Sequence, residues 1–290
     1  MALTKISTAG LEDQSVTLDK LPHGNESTHG KYLRANMGAD PTFETVSTTP
    51  ADGSITQAKL NFPVANRNLI INGAMQVAQR GTSSTSSGYQ TVDRIYVGWS
   101  GQDEALTQSQ GDVASGTTPY TLGFRKTFKV TNGNQTSGAG SSDYVYIDYY
   151  FEAQDIANSG WNYNSASSFV TLSFWVKSSV AQSFKGYFLT QDGTKYSYAF
   201  DTGSLSANTW TKVTKTIPGN SNLTFNNDNG VGFQLSLWPF IGTNLTASSV
   251  SEDAWATFNG STRTKDATST WWTTNDATFE ITGVQLEVGS

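Results

Sequence analysis

Residues 170–177 read Val-Thr-Leu-Ser-Phe-Trp-Val-Lys, and their alternation decides the fold class. Because successive side chains of a β-strand point to opposite faces, Val170, Leu172, Phe174 and Val176 would share one face of an extended strand. Polar residues and a tryptophan occupy the positions between them. A two-residue period with one apolar face is typical of antiparallel sheets that are buried on one side.

The same alternation continues along the chain, over residues 124–130, 231–238 and 279–288. In the last run Phe279 and Ile281 share one face, but the next apolar residues, from Val284 on, fall on the other face. One extra residue at Gly283 would bring them all to the same face, which predicts a β-bulge. The longest helical interruption is expected over 151–161, ending at Gly160. Many short strands with Asn, Asp and Gly turns between them predict an all-β, jelly-roll β-sandwich.

The composition restricts the function classes. The 290 residues include no Cys, which excludes disulfides, thiolate metal sites and thiol catalysis, while 8 Trp, 12 Tyr and 15 Phe can supply a core. A net charge of −6 disfavours nucleic acid and anionic membranes as partners. No apolar run reaches 18 residues, and the start lacks the apolar core of a signal peptide. This profile is typical of proteins that are assembled in a cell and released by lysis.

Residues 1–67 differ from the rest, because they lack Trp and contain both histidines. Residues 13–21 (DQSVTLDKL) and 52–60 (DGSITQAKL) share the pattern Asp-x-Ser-(Val/Ile)-Thr-x-x-Lys-Leu, although chance in a Ser/Thr-rich chain is the alternative. Units this short need neighbours to bury their apolar residues. We therefore predict an extended attachment and homotrimerisation segment over 1–67 and a jelly-roll domain over 68–290. Residues 29–44 are expected to form a strand, a turn and a second strand.

Several segments resemble a known group of proteins. Residues 68–76 (NLIINGAMQ), 79–81 (QRG) and 91–94 (TVDR) resemble the opening of phage tail-fibre and virion appendage domains, and 279–289 (FEITGVQLEVG) resembles their closing strand. Residues 171–177 and 208–213 resemble strands of carbohydrate-binding jelly-roll modules, and 30–36 with Asp40-Pro41 resembles a fibre shaft repeat. The resemblance implies a virion fibre that binds glycan.

The residues of the opening motif themselves indicate structural roles. Asn72-Gly73 suits a tight turn at positive φ. Arg80-Gly81 suits the exit from a strand. Asp93 and Arg94 are adjacent in sequence and could form a buried or interfacial ion pair.

Exposed aromatic residues are the candidates for sugar binding, because a pyranose presents an apolar face to a flat ring. Trp161 and Tyr163 lie in a Gly/Asn/Ser loop, and Trp271 and Trp272 lie in a Thr/Asp-rich stretch before the last strand. If that stretch is extended, at most one ring of the doublet is buried. Packing in the core or at a subunit interface is the alternative for each of the four.

Nothing in the sequence indicates catalysis. The two histidines, His23 and His29, lie in the N-terminal segment, and no serine elbow is found. Glycoside hydrolysis needs two carboxylates, but nothing distinguishes the pairs Asp148 with Glu152 and Glu252 with Asp253. We therefore expect no enzyme.

We expect no cofactor and no metal site. The histidines lack His-x-His spacing for a metal on a threefold axis. The turn at 226–229 (Asn-Asn-Asp-Asn) offers oxygen ligands that Ca²⁺ accepts, as in related jelly rolls, but an ordinary solvated turn is the alternative.

Together these features predict a homotrimeric tail fibre that attaches to host-surface polysaccharide. Residues 1–67 would join a tail hub, an adaptor or the capsid. The alternative is a capsid-decorating head fibre or spike with a mainly structural role. A polysaccharide depolymerase is disfavoured, because the chain is short and has no long β-helix repeat.

Overall fold

The computed structural model describes residues 31–36, 39–45 and 68–289. The chain divides into two units, residues 1–64 and 65–290. In the first unit, β1 (Lys31–Asn36) pairs antiparallel with β2 (Ala39–Thr45), which confirms the strand–turn–strand predicted for 29–44. The two repeat copies, His23 and His29 lie outside the described residues, so the trimerisation segment stays a prediction.

The second unit contains twelve further described strands and two short α-helices. In chain order these are β3 (Ser83–Ser84), β4 (Ile95–Ser100), β5 (Thr107–Asp112), α1 (Thr118–Thr121), β6 (Lys126–Thr131), β7 (Tyr144–Glu152), α2 (Ala153–Ala157), β8 (Phe169–Ser178), β9 (Lys185–Thr190), β10 (Tyr196–Asp201), β11 (Thr211–Pro218), β12 (Val231–Ile241), a 3₁₀ turn (Thr243–Leu245), β13 (Trp255–Thr257) and β14 (Thr278–Val288).

The strands form two six-stranded antiparallel sheets. The front sheet has the order β13-β10-β9-β12-β7-β4, and the back sheet has the order β11-β8-β14-β6-β5-β3. One large apolar core contains buried residues from both sheets. The predicted all-β, jelly-roll β-sandwich is confirmed. No helix in the described ranges is long and apolar enough to span a membrane.

The alternation that decided the fold class is confirmed on β8. Val170, Leu172, Phe174 and Val176 are completely buried, and the residues between them are half-buried. Each such apolar side chain contributes about 1.5–3 kcal/mol by leaving water. Strand β8 lies between β11 and β14, so it is an interior strand of the back sheet.

The predicted β-bulge in the closing strand is also confirmed. The register of β14 against β8 shifts between Thr282 and Gln285, and Gly283 has a φ of +60°. A Cβ atom at Gly283 would lie 2.6 Å from the ring of Phe124, so glycine is required by both conformation and space. The bulge keeps Val284 in the core.

The opening motif pairs with this closing strand. Leu69 N–H donates to the Leu286 carbonyl at 2.8 Å, and Val284 N–H donates to the Gly73 carbonyl at 3.0 Å. Asn72 has a φ of +61°, as the tight turn requires. The two ends of the domain sequence therefore fold as one substructure.

The predicted pairing of Asp93 with Arg94 is wrong. Asp93 instead lies 3.7 Å from the guanidinium of Arg80 and accepts the Gln79 N–H at 3.0 Å. Asp93 and Arg94 lie in a turn in which Arg94 has a φ of +72°, whereas Arg80 reaches Asp93 from another segment.

The helix expected over 151–161 is shorter than predicted. Phe151 and Glu152 still belong to β7, and Phe151 is buried in the core, so α2 covers only Ala153–Ala157. Gly160 follows in a left-handed conformation with a φ of +87°.

Candidate functional site: a tyrosine-lined cleft

Strand β12 departs from the alternation that its sequence predicts. Gln234, Ser236 and Trp238, expected on a wet face, are at least 90% buried, while Val231, expected in the core, is 45% exposed. The segment 242–265 folds over this outer face of the front sheet. A second small core forms there around Trp238, with partly buried residues that include Leu245, Val250 and Phe258.

Strand β7 presents the side chains that make this outer face distinctive. Its residues Val145, Ile147, Tyr149 and Phe151 point into the main core. The intervening positions, whose side chains point outward, are Tyr144, Tyr146, Asp148 and Tyr150. This Tyr-x-Tyr-x-Asp-x-Tyr alternation was visible in the sequence, and it is the signal by which the site could have been found.

These side chains line a cleft of about 320 Å³ between the front sheet and the covering segment. Its walls are formed by Tyr144, Tyr146, Asp148, Tyr150, Tyr187, Leu189, Gln234, Trp238, Leu245, Phe258 and Arg263. The lining combines flat aromatic rings with a small set of hydrogen-bonding groups, which is the usual character of a small-molecule site.

The aromatic rings form a continuous path. The ring centres of Tyr144 and Tyr146 are 5.6 Å apart, and those of Tyr146 and Trp238 are 5.2 Å apart. Tyr187 continues the path 6.0 Å from Trp238. On the other side, Tyr96 stacks 6.1 Å from Tyr146 with nearly parallel planes. Centroid separations of this size are favourable for aromatic pairs.

Asp148 is the single carboxylate of the lining, and it is 2% exposed. Its Oδ2 accepts hydrogen bonds from Tyr150 Oη and Gln234 Nε2, each at 2.8 Å. Its Oδ1 makes none with the described residues. Burial raises the pKa of Asp148 to about 6, although its polar neighbours and the charge of Arg263 oppose the increase.

Two further buried polar atoms in this region lack hydrogen-bond partners among the described residues. They are Ser236 Oγ, on the residue paired with Asp148 across β7 and β12, and Trp238 Nε1. Ser236 Oγ is close enough to lower the pKa of both Asp148 and Tyr187, but it meets the geometry of a hydrogen bond with neither. Buried polar groups without partners are rare and call for a functional explanation.

Arg263 supplies the positive charge of the lining. Its Nε donates to the Gly260 carbonyl at 2.9 Å, and its guanidinium carbon lies 5.5 Å from the Trp238 ring centre. The charge of Arg263 lowers the pKa of Asp148 only weakly, and no ion pair joins the two side chains. The lining therefore carries one acidic and one basic group.

Of the four carboxylates considered from the sequence, Asp148 alone lines this cleft. Glu252 pairs with Lys185 at 2.5 Å, and Asp253 pairs with Lys215 at 3.2 Å. Glu152 accepts a hydrogen bond from Gln154 at 2.7 Å.

A second hollow of about 410 Å³ adjoins the cleft and shares Tyr150 with it. Tyr89 on its wall is 39% exposed and packs edge-to-face on Tyr96 with ring centres 5.2 Å apart. Arg80 and Asp93, already paired with each other, also line it. The exposed face of Tyr89 thus extends the aromatic path beyond the cleft.

The loop tryptophans considered for sugar binding were expected to be exposed, and this expectation is wrong. Trp161 is 3% exposed, and Trp271 and Trp272 are completely buried in the main core. Tyr163 is half-buried and packs edge-to-face on Phe225 with ring centres 4.9 Å apart. None of the four lines the cleft.

The reason is that these loops close the sandwich instead of projecting from it. Trp161 Nε1 donates to the Ser168 carbonyl at 3.3 Å, and Trp272 Nε1 donates to the Gly138 carbonyl at 2.8 Å. Residues 271–274 form a turn and not an extended strand, so both rings of the doublet can enter the core.

The turn at 226–229 is held by protein hydrogen bonds. Asp228 Oδ1 accepts the Gly230 N–H at 3.0 Å, and Asn226 N–H donates to Asp192 Oδ2 at 2.9 Å. Across the described ranges, no three His, Asp or Glu side chains cluster as metal ligands would.

No protein-family model matches the chain, and no curated protein matches it either. Among solved structures, the enzymatically active domain of tailspike protein 4 of bacteriophage CBA120 aligns with a TM-score of 0.40 and 11% identity over 77% of this chain. The chain spans 21% of that tailspike.

Two bacterial modules align over most of their own length. The N-terminal cellulose-binding domain of Cellulomonas fimi β-1,4-glucanase C has a TM-score of 0.36 and 10% identity, covering 74% of this chain and 99% of that domain. The family 11 carbohydrate-binding module of Clostridium thermocellum has a TM-score of 0.30 and 10% identity, covering 71% of this chain and 95% of that module. Likenesses this distant assign neither a family nor a ligand to this chain.

Proposed function

We propose that the second unit is the glycan-binding head of a virion fibre and that the tyrosine-lined cleft is its binding site. The observation that carries the proposal is the outward row Tyr144, Tyr146, Asp148 and Tyr150 on β7, covered by Arg263 and Phe258. Phenol rings offer flat faces to the apolar side of a pyranose, and their hydroxyl groups, with Gln234, offer hydrogen bonds to its rim.

The cleft is suited to a sugar chain more than to a compact ligand. Its aromatic path continues through Tyr96 to the exposed Tyr89 in the adjoining hollow, so successive sugar units could lie along it. Each contact of this kind is weak. If the first unit joins three chains, as its repeat suggests, multivalency would raise the avidity by a factor on the order of 10² or more.

The assignment to a virion fibre rests on the sequence of the domain ends. The opening and closing segments that resemble phage appendage domains pair directly through Leu69 and Leu286. We therefore favour a tail fibre that attaches to host-surface polysaccharide, with residues 1–67 joining a tail hub, an adaptor or the capsid.

The test is the binding of full-length protein to host cells and to polysaccharide extracted from their surface. We expect Tyr146→Ala to abolish most of the binding, because Tyr146 contacts both Tyr144 and Trp238. Tyr120→Ala is the matched control, since Tyr120 lies outside the cleft and stacks on Arg125 at 3.9 Å. If wild-type protein binds neither cells nor polysaccharide, the adhesin proposal fails and the capsid-decorating role replaces it.

A further inference from the structure

We propose that Asp148 is the specificity-determining residue of the cleft: its free Oδ1, with Trp238 Nε1 of the same lining, receives the hydroxyl groups of an uncharged sugar unit, so that the site takes neutral saccharides and excludes acidic ones. This inference rests on the proposed glycan-binding function and names the class of glycan.

The first argument is hydrogen-bonding capacity. The carboxylate oxygen Asp148 Oδ1 can only accept, and Trp238 Nε1 can only donate. Both residues line the cleft, and both atoms are buried and without partners among the described residues. A sugar hydroxyl is both a donor and an acceptor, so neighbouring hydroxyl groups on one ring match this mixed set.

The second argument is charge. Asp148 and Arg263 are the charged members of the lining. A uronic acid or a sulfated sugar that took the place of a hydroxyl group at Asp148 Oδ1 would bring its negative charge against the Asp148 carboxylate. Placing like charges together in a partly desolvated site is unfavourable, so acidic units are rejected.

The third argument concerns pH. Among the described residues, the titratable or charged groups near Asp148 are the phenols of Tyr89, Tyr96, Tyr146, Tyr150 and Tyr187 and the guanidinium of Arg263. Phenols and guanidinium groups as classes keep their protonation state between pH 4 and 8. Since burial raises the pKa of Asp148 to about 6, its carboxylate is the acceptor that is lost when the solution is acidified over this range.

The experiment uses full-length protein and host-surface polysaccharide separated by anion exchange into a neutral pool and an acidic pool. We expect binding to the neutral pool to be roughly tenfold weaker at pH 5 than at pH 8, because with a pKa of about 6 only about a tenth of Asp148 is ionised at pH 5 and nearly all of it at pH 8. Asp148→Asn should bind the neutral pool roughly tenfold or more weakly at pH 8, and its affinity should not change between pH 5 and pH 8.

The control variant is Asp112→Asn on the back sheet, whose side chain is 80% exposed, and it should keep both the affinity and the pH profile. Two results overturn this inference while the glycan-binding function stands. One is equal or tighter binding of the acidic pool, and the other is an Asp148→Asn variant whose affinity still falls on acidification as that of wild type does. Binding of neither pool overturns both. The wild-type pH profile and the choice of pool remain decisive if Asp148→Asn does not fold.

Discussion

Gly98 on β4 lies directly beneath the ring of Tyr146 on β7, and a Cβ atom at Gly98 would overlap that ring. The two residues are also register partners across the strands. Because Gly98 has no side chain, the phenol ring of Tyr146 can lie flat over the sheet. There it forms the middle of the aromatic path.

Gly98→Ala is expected to displace the Tyr146 ring and to weaken glycan binding at least fivefold, at a cost of about 1–3 kcal/mol in stability from overpacking. Gly260→Ala is the matched control, because a Cβ atom there meets nothing within 4 Å. Binding measured by affinity electrophoresis should separate the two variants. Unchanged binding by a folded Gly98→Ala protein would show that the position of Tyr146 is unimportant.

The raised pKa of Asp148 should affect folding stability. Below about pH 3 the carboxyl group is protonated in both folded and unfolded chains, so it imposes no penalty. As the pH rises to about 6, the unfolded chain releases its proton first, and the folded state loses up to about 3 kcal/mol relative to low pH.

We therefore expect the unfolding free energy of wild-type protein to fall, relative to that of Asp148→Asn, between pH 4 and pH 7. Denaturant titrations across this range measure the difference. The unfolding free energy of the control Asp112→Asn should change with pH as that of wild type does. Parallel profiles for wild type and Asp148→Asn would mean that Asp148 titrates normally.

Trp272→Ala should act on stability and not specifically on binding. The ring is completely buried against Phe240, with centres 5.0 Å apart, so its loss should cost about 3–5 kcal/mol. Leu122→Ala, at a residue that is 59% exposed, should cost less than about 1 kcal/mol. A normal melting temperature for Trp272→Ala together with lost binding would restore the sequence-based assignment of Trp272 to the sugar site.

Deletion of residues 1–67 should leave the sandwich folded, because the buried residues of its core begin at Ile70. We expect the truncated protein to keep its circular dichroism spectrum and to lower its association state in light scattering. A truncated protein with the association state of the full chain would contradict the role given to 1–67.

The sequence predicts the sandwich well because apolar residues at every second position indicate a strand that is buried on one face, as in β8. The extra residue at Gly283 also predicts the bulge that keeps the apolar residues of β14 on one face. The prediction fails where a second layer covers a sheet. The alternation along β12 predicts that Gln234 and Trp238 face solvent, but the segment 242–265 buries both of them. Local pattern carries no information about a covering segment that folds back from elsewhere in the chain.

The same limit explains why tryptophans that were expected to be exposed are buried. Trp161 and the Trp271-Trp272 doublet sit among loop-forming residues, and composition alone suggested exposure, but burying such large rings is worth more than leaving them in water. The alternation of side chains along β7 is enough to predict that Tyr144, Tyr146, Asp148 and Tyr150 share one face. The neighbours of these residues on β9, β12 and the covering segment are brought together only by the tertiary fold.

Hydrogen–deuterium exchange of the full-length protein, with and without the neutral polysaccharide pool, tests the central claim most directly. We expect bound glycan to slow exchange in peptides that cover 243–265 and 144–150, where Phe258, Arg263 and the tyrosine row enclose the cleft. Slowed exchange confined to 161–163 and 271–274, or no change at any peptide while glycan is bound, would contradict the assignment of the cleft as the binding site.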